Sequence, residues 1–547
     1  MKDVTHNQVP VLIVGGGPVG LALAGDLGWR GVDCLLIERS DGVIKQARMD
    51  MVGIRTMEFC RRWGIVDWVE NGGYNRDYPQ DCAWVSSLNG YEFGREHFPT
   101  PAEAVPPPQS PQNRERCPQN FFDPVLRRFA EQFDGVTLQY QTEFVSLLAH
   151  DQGVRVTVRD VVSDRTREIE ANYVVACDGG ASTVRQQLGI DMQGPPALTY
   201  TTNVIFRCDG LERLHNKQPG YRYIFIGPEG TWATLVAING RDQWRFSLVG
   251  DANRRERTTE ELRAAIERAM GKPFDFEILS VLPWVRRQQV AERYATSRVF
   301  LAGDAAHLTS PTGGFGMNTG ILDVVNLSWK LEANVRGWGT PALLHSYDLE
   351  QRPVGVRNVS EATSNLARML SPRVTAPSDA VFTPGPEGDA ARLAFGQAYT
   401  EMMRREWFSI GIHLGYVYEG SPVVIADGTP RPEDTVSTYT QTARPGSRAP
   451  HVWLSPGVST LDLFGKAFVL LRLGADAPAV EALMDAARQR GVPLQVHDLL
   501  HAEVREIYAS PLVLVRPDGQ VAWRGAVLPK DVLMLIDTVR GAAPMPS

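Results

Sequence analysis

The chain has 547 residues, too many for one hydrophobic core, and divides into roughly three or four domains at about 150 residues each. An apolar fraction of 43% and a charged fraction of 22% are those of a globular chain, and a net charge of −7 with an isoelectric point near 5.9 argues against nucleic acid or an anionic membrane as partner. Six scattered cysteines with no CxxC pair exclude dithiol chemistry, offer no metal site and fit a reduced, cytoplasmic compartment. The long apolar run near the start contains a glycine cluster and a proline and lacks a basic flank, so it does not read as a signal peptide, and no other run is long enough to span a bilayer. A small-molecule ligand is the expectation.

The first element is a complete βαβ unit in VPVLIVGGGPVGLALAGDLGWRGVDCLLIERS. Residues 11–14 form a strand buried on both faces, Gly15, Gly17 and Gly20 make a GxGxxG turn, residues 21–27 are helical, and residues 34–37 form a second strand ending on Glu38. Gly15 permits the tight turn, Gly17 lets a pyrophosphate approach the backbone, Gly20 lets helix and strand pack, and the helix N-terminus attracts phosphate charge. Glu38 is placed to bond ribose hydroxyls. The unit suits an ADP moiety, which FAD and NAD share.

Residues 99–118 and 371–388 are too rich in proline for a helix or central strand and read as surface loops. Between them, ANYVVACDGGASTVRQQLG (171–189) runs from an apolar strand to Asp178-Gly179 and on to a helix opened by Ser182 and Thr183. Within 191–283, YRYIFIGPEGTWATLVAI and DQWRFSLVG alternate in the manner of antiparallel strands of a substrate-facing sheet. Tyr223, Trp232 and Arg245 are candidate pocket residues there, with plain packing as the alternative. Arg286 and Arg287 meet a carboxylate or nicotinamide phosphates, or form a solvated basic turn.

A third strand, 299–302, is followed by Asp304, a glycine-rich loop at 313–320, and a helix on which Ile321, Val325 and Leu331 mark a buried face. An acid at the carboxyl end of a parallel strand lies where ligands bind in open α/β sheets. His307 reads as an anchor for this loop. After a connector at 419–450, the last hundred or so residues follow a β-α-β-ββ order with an Asp518-Gly519 hairpin turn.

The GxGxxG turn, CDGGASTVR and GDAAHLTSPTGGFGMNTG resemble, in order and spacing, the three fingerprints of the class A flavoprotein aromatic hydroxylases, the group that includes p-hydroxybenzoate hydroxylase and phenol hydroxylase. The resemblance covers about residues 8–360, and the C-terminal segment is similar to the thioredoxin-like domain of phenol hydroxylase. It implies an α/β architecture. A discontinuous Rossmann-type FAD-binding domain (1–190 and 284–370) would carry an inserted antiparallel-sheet substrate domain (191–283). A helical and loop connector (371–440) and a thioredoxin-like domain without cysteines (441–547) would follow, the last serving packing or a homodimer contact.

By the same resemblance, Gly15, Gly17, Gly20, Glu38 and Arg39 would hold the ADP part of FAD, Arg48 and Gln119 would touch the ribityl and phosphate region, and Asp178 would lie at the pyrophosphate and nicotinamide-cofactor side. Asp304 would bond a ribityl hydroxyl, Pro311 would face the flavin C4a edge, and the amides of Gly316, Met317 and Asn318 would face the pyrimidine edge. Asp50 would be the base, or the group that orients it, with a loop or N-cap acid as the alternative. The tyrosine that partners this aspartate in phenol hydroxylase has no counterpart in the similar strand, which offers Ser247 or Arg245. The implied reaction is hydroxylation of a substituted phenol, ortho or para to its hydroxyl, with NADH or NADPH and O2 through a flavin C4a-hydroperoxide, and in some relatives with expulsion of a ring substituent. A flavin dehydrogenase or oxidase, and a non-catalytic dinucleotide-binding protein, remain open at this point.

Overall fold

Residues 8–44 and 50–543 are described by the structure, a computed structural model. Strand Gln8–Val14 lies at the centre of the first sheet, parallel to Cys34–Ile37 on one side and to Thr166–Ala176 on the other. Val136–Gln139 and Val299–Leu301 extend it in parallel at either flank, and an antiparallel pair, Thr142–His150 and Gly153–Asp160, leads into Thr166–Ala176. Val11, Leu12 and Ile13 are fully buried, as a parallel strand covered on both faces requires. Helix Pro18–Arg30 packs on helix Phe315–Val335, so the first and third motifs share one core.

The second sheet has seven strands in the order Glu277–Arg286, Thr199–Arg207, Gln243–Asp251, Gly230–Ala237, Arg222–Gly227, Cys82–Val85 and Glu92–Glu96. Its last two strands come from a segment assigned from sequence to the nucleotide-binding domain. Cys82–Val85 pairs in parallel with Arg222–Gly227, a non-local contact that no local pattern announces. One face of the sheet buries Tyr223, Phe225, Trp232 and Phe246 against helix Thr259–Met270. The other meets helices Pro341–Met369 and Pro386–Trp407. The latter helix begins inside the stretch expected to be a loop, because Pro386 occupies its first turn, where a missing N–H costs nothing.

The C-terminal sheet runs Leu494–Leu499, Phe468–Leu473, Leu512–Val515, Val521–Gly525, with the parallel and antiparallel pairings of the expected β-α-β-ββ order and an extra short helix, Ala502–Tyr508. Buried charge docks this unit on the rest. Glu58, on helix Ile54–Trp63, accepts bonds from Arg55 (2.7 Å), Arg448 (2.5 and 3.0 Å) and Ser110 (2.7 Å). Burial alone would raise the Glu58 carboxyl, but the Arg448 and Arg55 guanidiniums outweigh it and bring it down from 4.5 to about 2. A depressed carboxylate stabilises fully above its unfolded value and loses that contribution as pH falls through the folded one. Docking should therefore weaken between pH 4.5 and about 2. Tryptophan fluorescence across that window should show a step that Glu58→Gln removes; an identical step in the variant would assign it to other groups. Among the described residues no helix is long and apolar enough to cross a membrane.

Candidate active site

The sheet register brings the three motifs side by side. Val14 is opposite Ala176, and Ala176 is opposite Leu301, so Gly15, Asp178 and Asp304 all follow the carboxyl ends of adjacent parallel strands. Gly15 has a φ of 110°, and a Cβ there would lie 2.3 Å from the Cys177 carbonyl oxygen. A Cβ on Gly20 would lie 2.0 Å from the Gly15 carbonyl oxygen. These two glycines are required by protein against protein. Gly17 differs: a Cβ there would meet nothing within 4 Å, and the helix it opens has no side-chain cap. Open space therefore faces the uncapped helix N-terminus, the setting for a phosphate.

Glu38 accepts from the Gly16 amide and from the Ser40 amide, both at 2.8 Å, so it braces the glycine turn and each oxygen retains a further lone pair. Arg39 is exposed beside it. Asp178 Oδ2 accepts from the Val184 amide at 3.2 Å, while its buried Oδ1 has no partner among the described residues and burial raises the carboxyl. An unpaired buried acceptor is costly unless a ligand completes it. Asp304 stands exposed in the turn Gly303–Ala305, between buried neighbours. Gln119 is buried in the first turn of helix Gln119–Ala130 and donates to Asp123 at 3.1 Å. Arg48 lies outside the described residues. His307 bonds Asp323 at 2.8 Å, and the same Asp323 oxygen accepts from the Gly303 amide at 3.0 Å, which pins the loop.

Helix Phe315–Val335 starts after Gly314, left-handed at φ 68°, again without a side-chain cap. Gly316 and Met317 are partly exposed in its first turn. The Asn318 side chain is fully engaged by protein: it accepts from the Gly53 amide and the Thr56 hydroxyl, each at 2.7 Å, and donates to the Gly314 and Met51 carbonyls at 2.7 and 3.2 Å. This stitches the segment carrying Asp50 to the loop carrying Pro311.

Between that loop and the second sheet lies a cavity with Asp50 and Pro311 in its wall. The Tyr221 hydroxyl donates to Asp50 Oδ2, Arg245 reaches the same oxygen at 3.2 Å, and Arg116 lies 3.7 Å from Oδ1 with its guanidinium 3.5 Å over the Tyr221 ring. Burial would raise Asp50, yet Arg245, Arg116 and the Tyr221 bond hold it below the usual carboxylate range. Burial pushes the Tyr221 phenol well up. At neutral pH the pair is a carboxylate and a neutral phenol.

Tyr221 corrects the expectation that the aspartate lacks a tyrosine: the residue comes from a different strand edge. Ser247, the alternative, spends its hydroxyl on Asn203 at 2.7 Å. Arg245 does line the cavity, but Tyr223 and Trp232 do not. Tyr223 points to the opposite face, beside Arg222 in a two-residue repeat, and donates to the Gln218 carbonyl at 3.1 Å. A register shift between Phe225 and Ile226 breaks the alternation and leaves Trp232 packed against Phe225, tilted, and Phe246, edge-on. Arg114, Arg116, Arg222 and Glu406, all in the cavity wall, carried no sequence signal beyond their charge.

Comparison with known proteins agrees with this geometry. The FAD binding domain family matches residues 8–362, and the aromatic-ring hydroxylase C-terminal family matches residues 442–542. The chain belongs to the class A flavoprotein aromatic hydroxylases. This hydroxylase is 32% identical to a 4-methyl-5-nitrocatechol 5-monooxygenase from a Burkholderia species, over 96% of this chain and 95% of the relative. It is 31% identical to the 2,4-dichlorophenol 6-monooxygenase of Delftia acidovorans, over 96% of each. The solved structure of the rebeccamycin biosynthetic enzyme RebC with reduced flavin superposes with a TM-score of 0.91 at 37% identity, covering 99% of this chain and 100% of that one. The hydroxylase is therefore an FAD-dependent aromatic monooxygenase, and the open space at Gly17 and the unpaired Asp178 oxygen fit the cofactor.

Proposed function

We propose that this hydroxylase inserts one oxygen atom of O2 into a substituted phenol, ortho or para to the hydroxyl, with NADH or NADPH as reductant and the second oxygen leaving as water. The observation that carries this is the Asp50–Tyr221 pair, clamped by Arg116 and Arg245 in a cavity walled by the Pro311 loop. FAD, when bound, accepts hydride from the nicotinamide and activates O2. Gly17, Glu38 and Arg39 would hold it at the ADP part, in the turn that Gly15 and Gly20 shape by packing on protein, with Gln119, Asp178 and Asp304 along the chain to the ring and the Gly316 and Met317 amides at the uncapped helix end. Asn318 contributes its backbone and orders the loop.

Asp50 orients rather than removes the proton. A base works best with a pKa near the working pH, and Asp50 is held below the usual range. With its proton committed to Asp50, the Tyr221 oxygen is free to accept the substrate's phenolic O–H and push electron density onto the ring. Screening phenols for stimulated NADH and NADPH oxidation, with the product gaining one oxygen by mass, tests the reading; it falls if no phenol stimulates. Asp304→Ala should weaken FAD binding about tenfold, the worth of one hydrogen bond. Flavin content after gel filtration reads this, and unchanged content removes Asp304 from the cofactor site.

A further inference from the structure

The cavity holds more positive charge than its own acids balance. Among the described residues five guanidiniums line it, against two carboxylates, Asp50 and Glu406. Arg116 and Arg245 take Asp50, and Glu406 is taken by Arg222 at 2.8 Å and the Gly313 amide at 3.2 Å. Arg286 and Arg114 remain. Among the described residues neither has an acid within ion-pair distance: Arg286 donates to the hydroxyls of Thr201 (3.0 Å) and Ser310 (3.3 Å), and Arg114 to the Trp407 carbonyl (3.2 Å). Arg286 is only 6% exposed.

A buried guanidinium with neutral partners alone is an expensive group to keep charged, and the cost is visible in both. Burial, then repulsion from Arg222, lowers Arg286 to about 10, and burial, then Arg116, lowers Arg114 to about 10. The strands set Arg286 here by alternation: Leu282, Trp284 and Arg286 share the cavity face of one strand, and Trp284 stands opposite Thr201 on the next. An arginine fork beside a threonine hydroxyl, next to the indoles of Trp284 and Trp407, suits a planar carboxylate attached to an aromatic ring.

We propose, on the hydroxylase reading above, that the substrate is an aromatic carboxylate, its acid group seated on Arg286 and Thr201, with Arg114 adding positive potential from the Trp407 side. Phenol orientation at Tyr221 and anchoring at Arg286 then define two ends of one molecule.

The test titrates the FAD-loaded protein with matched probes, 2-naphthoate against 2-naphthamide and indole-2-carboxylate against its amide, following the flavin absorption band. Each acid should bind about 10- to 100-fold more tightly than its amide, the range for a charge-assisted bond. Arg286→Gln should cut that ratio by about fivefold or more while leaving FAD content and amide affinity in place. Equal binding of acid and amide, an acid preference that survives in both Arg286→Gln and Arg114→Gln, or no acid binding at millimolar concentration overturns the proposal. Phenol-stimulated nicotinamide oxidation, measured alongside, separates the two readings. Stimulation without acid preference overturns only the carboxylate site; acid preference without stimulation by any phenol supports it and overturns hydroxylation.

Discussion

Replacing Asp50 with Asn is expected to slow oxygen transfer by about 100-fold or more, at the low end of what a positioned proton-handling group contributes, while flavin reduction without substrate stays close to the parent. The amide is nearly the same shape and still offers Tyr221 an oxygen, so packing survives. The charge does not: Arg245 and Arg116, at 3.2 and 3.7 Å, lose their counter-ion, and Tyr221 donates to a neutral amide, a weaker hold on its proton than the carboxylate gives. Because Asp50 lies below the usual range, its charge is complete above its ordinary value of 3.8 and is lost only as pH falls below that. Activity of the parent should thus show no step from Asp50 near neutrality. Tyr221→Phe should reproduce most of the loss at unchanged FAD content. Stopped-flow separation of reduction from hydroxylation reads both variants, and equal hydroxylation rates would remove the pair from the mechanism.

Glu350→Gln should destabilise the protein by about 3–5 kcal/mol, the cost of stranding buried charges. Glu350 is 1% exposed and accepts from Arg516 at 2.6 and 2.8 Å, Lys330 at 2.7 Å, Asn326 at 2.7 Å and Ser421 at 2.5 Å. It joins helices Phe315–Val335 and Pro341–Met369 to the C-terminal unit in one network. Burial already lowers Lys330 to about 8 despite its acid partner, so the variant can shed that proton, but Arg516 cannot shed its own. Among the described residues Asp518 is the acid that remains to Arg516. Urea unfolding with the C-terminal unit followed by protease susceptibility reads the effect; a midpoint matching the parent would mean Asp518 suffices.

Short-range pattern explains most of what was legible. The glycines of the first turn, the acids after the second and third strands and the β-α-β-ββ order of the C-terminal unit each depend on a few neighbouring residues with a fixed period or a fixed steric demand, and the motif resemblance joined them into one family. Tyr223 and Trp232 failed as pocket residues for a complementary reason. Alternation says that a strand has two faces without saying which is inward, and the register shift at Phe225 and Ile226 changes the parity along the hairpin. Residues 82–96 escaped for want of any local sign that Cys82–Val85 pairs with Arg222–Gly227 and carries Glu92–Glu96 along as the edge strand.

By itself, the amino-acid order determined the glycine turn, the acids that follow the adjacent strand ends and the family. Only the tertiary structure decided the chemistry of the cavity, since its charged groups come from the segments around 50, 114, 222, 245, 286 and 406. Their ionisation depends on which of them meet at 2.8 to 3.7 Å out of water, a distance that chain spacing does not encode.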